Sequence, residues 1–319
     1  MMERTTPKGR RYCVSEPVEQ QMPRIDDQLL DCSVYLYPTV EQAERGDAVG
    51  GTGFIIGVPY RRAKGYTHRY AVTCSHVIRR GAPVVRVNTR HGEFDVLDLG
   101  PKQWTHHPDG HDIAVCPVSL PANDFKYKWL PQEMFMTKEL IEQEDIGPGD
   151  DTFFVGRFIT HEGRQRNLPT VRFGNISMLP WEKVRNRMGL DQESFLVESR
   201  SLPGYSGSPV FVYISAFAKR PGKSTTISSS DRGPWLLGID WGHVNEHQKV
   251  LESDGETPVK DGWVVQQNSG MMAVQPAWNL AELLQVQELV EMREDREQQW
   301  EAQERRDASV VADSAERPH

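Results

Sequence analysis

Between Ser33 and Val274 the chain is a succession of short β-branched and aromatic runs, each cut off by Gly, Pro, Asn or Asp. Runs of this length bounded by turn formers read as strands, and a series of them can bury its apolar faces only by pairing into a barrel or a sandwich. A first set is predicted at Ser33–Leu36, Thr52–Val58, Tyr70–Cys74, Val84–Val87, Phe94–Leu99 and Asp112–Val118. A second set is predicted at Thr152–Gly156, Val171–Ser177, Phe195–Glu198, Pro209–Ile214, Trp235–Ile239, Gly262–Gln266 and Met272–Val274. Residues 121–151, with Pro131, Pro148 and the helical-looking Thr137–Glu144, read as a linker between them. Two β domains, 28–120 and 152–276, fit a chain of 319 residues.

The two ends have other patterns. Residues 1–27 are polar, aperiodic and broken by Pro7, Pro17 and Pro23, so a loose leader is expected. After Pro276 a helical period begins: Asn279 and Glu282 fit an N-cap and its capping-box partner, and Leu283, Val286, Leu289 and Val290 recur at helical spacing. Beyond Met292 the segment is nearly all charged or Gln, and from Ala281 to His319 it carries 11 acidic against 5 basic residues. Residues 277–319 are therefore expected to be a solvated helix fraying into an acidic tail, the alternative being a docking arm for a partner.

Several classes are excluded by charge and hydropathy. A net charge of −8 argues against a nucleic-acid or anionic-membrane binder, because both need a positive footprint. No apolar run approaches the roughly 18 to 20 residues of a membrane-spanning helix. No apolar stretch follows Arg4, Lys8, Arg10 and Arg11, so a secretory signal is not expected and the cytoplasm is the expected compartment. Cys13, Cys32, Cys74 and Cys116 follow no metal-ligand spacing and read as reduced, mostly buried thiols.

Chemistry concentrates in three places. In Leu202-Pro203-Gly204-Tyr205-Ser206-Gly207-Ser208-Pro209, a glycine-flanked serine sits in a tight turn that leads into an apolar strand. Ser206 can present its hydroxyl at the apex, and the N–H groups of Gly204 and Ser206 could hold an oxyanion. An ordinary Gly/Ser/Pro turn explains the segment equally well when it is taken alone. A serine hydroxyl needs a base, and His76, at the end of the predicted strand Tyr70–Cys74, is the candidate. The imidazole in turn needs an acceptor on its other nitrogen, and Asp112 opens an apolar strand that would bury its carboxylate. Separately, His76 reads as a structural histidine and Asp112 as a turn aspartate; together they stand in the order His, Asp, Ser.

The segments Thr73-Cys74-Ser75-His76-Val77, Asp112-Ile113-Ala114-Val115 and Gly204-Tyr205-Ser206-Gly207-Ser208-Pro209 resemble those of the trypsin-like, chymotrypsin-fold serine peptidases, in particular their short, disulfide-free bacterial branch. The resemblance covers about Ser33 to Leu284. It implies an all-β chain of two six-stranded antiparallel β-barrels with a C-terminal α-helix. His76 and Asp112 would come from the first barrel and Ser206 from the second, with the oxyanion hole at Gly204 and Ser206. By the same resemblance Trp235–Gly242 borders the specificity pocket, so Trp241 and Gly242 would bind substrate backbone, and Ser269 and Gly270 would lie near a pocket wall. Arg200 would fall near the pocket floor, where it would favour an acidic residue before the scissile bond. Asp240 would stand where the family often has a small hydroxyl residue, either turned to solvent or paired with a base. Tyr205 stands where many members have Asp, and Ser208 where many have Gly, so activation through a new N-terminal amine is not supported.

Other patterns are weaker. His106, His107, Asp109, His111 and Asp112 could suggest a metal cluster, but a polar turn delivering Asp112 explains their composition; His243 and His247 have i, i+4 spacing, but Gly242 precedes them and the stretch does not read as a helix. Neither metal nor cofactor is expected. Ala218–Arg232 reads as a flexible surface loop. The expected activity is cleavage of protein or peptide substrates, restrained by narrow specificity or a regulatory protein partner. A non-catalytic protein-binding module and a small-ester hydrolase are the alternatives.

Overall fold

The computed structural model describes residues 2–5, 11–14, 24–47, 50–158, 163, 165–185, 189–199, 201–214, 232–254, 257, 259–260 and 263–315. In the first half, seven strands run in the spatial order Phe94–Leu97, Val84–Asn88, Ser33–Tyr37, Gly51–Pro59, Thr67–Thr73, Ala114–Val118 and Thr105–His106. An eighth, Leu130–Pro131, pairs parallel with Gly51–Pro59. Ser33–Tyr37 and Gly51–Val58 are buried along their whole length, as expected of strands with apolar residues on both faces.

The second half closes on itself. Asp151–Gly156, Thr170–Met178, Phe195–Glu198, Val264–Pro276, Arg232–Lys249 and Pro209–Ile214 form a six-stranded antiparallel barrel. The expected fold is thus met by one closed barrel, a β-rich first half and a C-terminal helix; a second closed barrel is not formed among the described residues. The first sheet ends in the half-buried Phe94–Leu97 and the two-residue Thr105–His106, and edges so short exchange too few backbone bonds to join.

Three further expectations are modified. The strands predicted at Trp235–Ile239, Gly262–Gln266 and Met272–Val274 fall, apart from Gly262, which lies outside the described residues, and Trp263, on one long hairpin, because Arg232–Lys249 and Val264–Pro276 pair out to Lys249 and Val264. Backbone pairing carries this hairpin beyond the core into polar sequence where no alternation marks a strand. The leader includes an antiparallel pair, Met2–Thr5 with Arg11–Val14, and a helical turn at Asp27–Leu30. The segment 121–151 is pinned to the barrel rather than free: Met136 N–H donates to Leu236 O at 2.9 Å, and Lys138–Glu144 is a helix capped by Thr137.

The C-terminal helix begins earlier than its capping pattern predicts. Ala277–Leu283 follows Pro276 directly at the strand end, and Asn279 lies buried within it instead of capping it. Gln287–Ala315 then runs on as a 29-residue helix. It is not merely solvated, since Arg293 and Glu297 are buried against the first sheet. No helix among the described residues is long and apolar enough to cross a membrane.

Candidate active site

The Thr67–Thr73 strand runs through Cys74 into a short helix, Ser75–Arg79, and this turn delivers His76 to the seam between the halves. Asp112 precedes the neighbouring strand Ala114–Val118, which pairs with Thr67–Thr73, so the two side chains face each other across adjacent strands. Both are buried. His76 Nδ1 donates to Asp112 Oδ2 at 2.6 Å, and the His76 backbone N–H donates to Asp112 Oδ1 at 2.8 Å. The carboxylate therefore grips ring and backbone together. That fixes the Nδ1–H tautomer and leaves Nε2 as the ring's free basic nitrogen.

Ser206 arrives from the second half, in the turn before Pro209–Ile214. Gly204 and Gly207 sit at φ +97° and +94°, in the left-handed region that glycine adopts without steric cost. The bonds of this turn run from Tyr205 N–H to Leu202 O, from Gly207 N–H to Asp240 O and from Ser208 N–H to Tyr205 O. Among the described residues the N–H groups of Gly204 and Ser206 donate to no backbone carbonyl. The first sheet clamps the turn: Thr52 N–H donates to Ser206 O at 2.9 Å, and Thr52 Oγ1 donates to Gly204 O at 2.7 Å.

Tyr205 is fully buried edge-on to Phe154, and its hydroxyl meets Thr170 Oγ1 at 2.6 Å and accepts from Arg172 Nε at 3.1 Å. The phenol so anchored ties the turn to Thr170 and Arg172.

His76, Ser206 and Gly204 line one cleft of about 210 Å³ with Pro38, Gly50, Val77, Arg80, Ala82, Ser201, Leu202, Pro203, Gly242 and His243. Among the described residues no hydrogen bond joins the Ser206 hydroxyl to His76. The predicted residues thus divide. His76 and Asp112 are bonded, and Ser206, Gly204 and Gly242 open on the same cleft as His76. Trp241 is instead buried behind it, its Nε1–H donating to Ser194 Oγ at 3.0 Å. Asp240 is fully buried and accepts from Ser201 Oγ and Gly242 N–H, so its side chain does not turn to solvent. Arg200 lies outside the described residues, as does Ala218–Asp231.

Two contributors escape a sequence reading. Gln192 Oε1 accepts from the Asp112 N–H at 3.1 Å, and Ser75 Oγ meets His106 Nδ1 at 2.6 Å. Gln192 comes from a segment whose sequence carries no pattern beyond polarity, and Ser75 and His106 stand in segments already singled out for other reasons, so only the folded chain shows these two contacts. Cys74, His76 and Asp112 bring ligand atoms within 4.8 Å of one another. The Cys74 thiol donates to Asp240 O at 3.2 Å and Asp112 is committed to His76, so the trio reads as structural bonding. His107 is buried in contact with the His111 ring, consistent with a packed polar turn. Cys32, Cys74 and Cys116 are buried and in no disulfide.

No protein-family model matches the chain, and no curated protein matches it. Among solved structures it is similar to the MamO protease domain from Magnetospirillum magneticum, at 16% identity, with 81% of this chain and 98% of that chain covered and a TM-score of 0.45. It is similar to the HtrA-type protease AlgW with tripeptide, at 16% identity over 81% of this chain and 61% of that chain, with a TM-score of 0.41. It is also similar to Deg5, at 14% identity over 68% of this chain and 81% of that chain, with a TM-score of 0.39. The chain spans about three fifths of the AlgW chain.

Proposed function

We propose that the protein is a trypsin-like serine endopeptidase working through His76, Asp112 and Ser206. The observation that carries this reading is the two-point bond from His76 to Asp112 on the cleft that Ser206 also lines. A carboxylate spent on both the ring and the backbone of a histidine is an arrangement for orienting a base and for stabilising the imidazolium it becomes.

In this reading Ser206 Oγ attacks the scissile carbonyl carbon while His76 Nε2 takes its proton. The oxyanion forms against the N–H groups of Gly204 and Ser206, which the turn leaves unspent on backbone carbonyls. His76 then returns the proton to the leaving amine; a water, deprotonated by the same nitrogen, attacks the acyl carbon, and His76 passes that proton to Ser206 Oγ as the acyl group departs as a carboxylic acid. Apo hydrogen bonds between nucleophile and base are often long and tighten only around substrate, so the open His76–Ser206 pair fits a resting site. Restraint by narrow specificity or a protein partner belongs to this reading, since unrestrained cleavage would damage the cell that makes the enzyme.

The absence of a His76–Ser206 bond among the described residues favours one rival, a binding module on the same fold. Labelling with a serine-directed fluorophosphonate separates them: wild type should form an adduct on Ser206, and Ser206→Ala should form none. A folded wild type that stays unlabelled, alone and with cell extract added, rejects the peptidase reading. A peptide-library cleavage profile beside Ser206→Ala then separates peptide from small-ester hydrolysis.

A further inference from the structure

Asp240 is a fully buried carboxylate that the triad chemistry does not use. Its main chain and its side chain hold different things. The main chain serves the nucleophile turn and the base: Asp240 N–H donates to Ser208 O at 2.9 Å, and its carbonyl accepts from Gly207 N–H at 2.7 Å and from Cys74 Sγ at 3.2 Å. The side chain serves the cleft. Oδ2 accepts from Ser201 Oγ at 2.7 Å, and Oδ1 accepts from Gly242 N–H at 2.8 Å.

Ser201 and Gly242 both line the cleft that holds His76 and Ser206, and they come from separate segments of the barrel. Asn268, on a third segment, adds to the same construction by donating from Nδ2 to Ser201 O at 2.6 Å. One carboxylate thus braces two walls of the cleft from behind. A carboxylate gives each of the two donors its own oxygen on one rigid group, whereas a hydroxyl would have to accept both on one atom and still place its own proton. Charge-assisted bonds of this kind are short and directional, so they hold a spacing more firmly than neutral contacts do.

We propose that the Asp240 carboxylate is a positioning residue that fixes the separation of the Ser201 and Gly242 walls, and through it which side chain of a bound polypeptide the cleft admits. This rests on the peptidase reading and assigns the selectivity of that same site. It also accounts for a charged residue where a small hydroxyl would suffice to fill space.

The test exploits the division of labour, because the backbone bonds to Gly207 and Ser208 survive any side-chain change that keeps the N–H. In Asp240→Ala, peptide-library discrimination at the position bound between these walls should fall about tenfold, with kcat/KM for the preferred peptide lost chiefly through KM. Labelling of Ser206 by a small fluorophosphonate should slow by less than about threefold, because that reagent does not need the wall spacing. Asp240→Asn should restore most of the selectivity, with its Oδ1 taking the Gly242 N–H and its amide donating to Ser201 Oγ. Ser201→Ala cuts one tie from the other wall and should loosen the same selectivity; it carries the test if Asp240→Ala does not fold. Unchanged selectivity in the folded variants, or labelling and cleavage that fall in equal proportion, would overturn the proposal and leave the peptidase reading standing. A wild type that neither labels nor cleaves removes that reading and this one with it.

Discussion

Asp112 is held as firmly as it holds: its own N–H is taken by Gln192 while both of its oxygens serve His76. Asp112→Asn should preserve the packing but present the wrong tautomer to Ser206, and kcat on a cleaved peptide should fall about 10⁴-fold with the fold retained. Gly207 is constrained by space as well as by conformation. At φ +94° a Cβ would come within 2.0 Å of Thr52 O and 2.3 Å of Thr73 Oγ1, so Gly207→Ala should lower Tm by an amount equivalent to at least ~1–3 kcal/mol and should slow Ser206 labelling. His107 sets a pH limit. Burial, followed by the neighbouring His111, pushes it down to about 4 from the ordinary value of 6.5. The unfolded chain therefore binds this proton more readily, and the stability that neutral His107 contributes is full above pH 6.5 and lost as pH falls toward 4. Replacing His107 by Phe should flatten Tm across that window, which a scan of Tm against pH would show.

The terminal helix is anchored by an unusual set of contacts for so polar a sequence. Glu297, buried on Gln287–Ala315, accepts from Arg61 N–H at 3.2 Å, Arg62 N–H at 3.1 Å and His68 Nε2–H at 3.0 Å. Arg293 donates to Tyr70 Oη at 3.2 Å and to Leu284 O at 2.7 Å, and Trp300 packs on Tyr66. Burial pushes Glu297 up, but the bonds from His68, Arg61 and Arg62 outweigh it and hold the carboxyl below its ordinary range; His68 is pushed down, chiefly by burial. Both shifts have the same consequence, because each group binds its proton more readily once the helix lets go. The dock is intact above the ordinary histidine range and weakens as pH falls through it, then further through the carboxylate range. Glu297→Ala leaves two backbone N–H groups and an imidazole without their acceptor, which should cost on the order of 3 kcal/mol and release the helix to proteolysis. If limited proteolysis cuts wild type and Glu297→Ala at equal rates, the anchor does not hold the helix.

At the scale of the molecule, the two halves are joined by buried polar ties beside the apolar core. Thr52 binds the Ser206 turn by N–H and hydroxyl, and its Oγ1 also accepts from Arg157 N–H at 2.9 Å. Arg86, fully buried over the rings of Tyr37 and Phe94, donates from Nε to Asn167 Oδ1 at 2.7 Å, while Asn167 Nδ2 returns a bond to Arg86 O. Thr52→Val keeps the shape and removes two of these bonds, so it should cost about 1–3 kcal/mol and reduce peptide cleavage by more than the loss of folded protein explains. Equal activity per folded molecule would mean that the seam does not position Ser206.

Much of this was legible in the residues themselves. The short β-branched runs marked most strands of the first half, and the His and Asp segments marked two residues that bond beside the cleft Ser206 also lines, because β pattern and tight-turn chemistry are local and are written in consecutive residues. Barrel closure, the full length of the Arg232–Lys249 hairpin and the docking of the acidic helix were not legible. Those outcomes depend on which backbone edges come within reach of each other and on which charges find buried partners, as Glu297 finds Arg61, Arg62 and His68. Asp240 shows the boundary most clearly. Sequence alone made it an anomalous carboxylate in a cleft, and only the folded chain, by bringing Ser201 from another segment to the carboxylate that also accepts from Gly242 two residues along its own strand, gave that side chain something to hold.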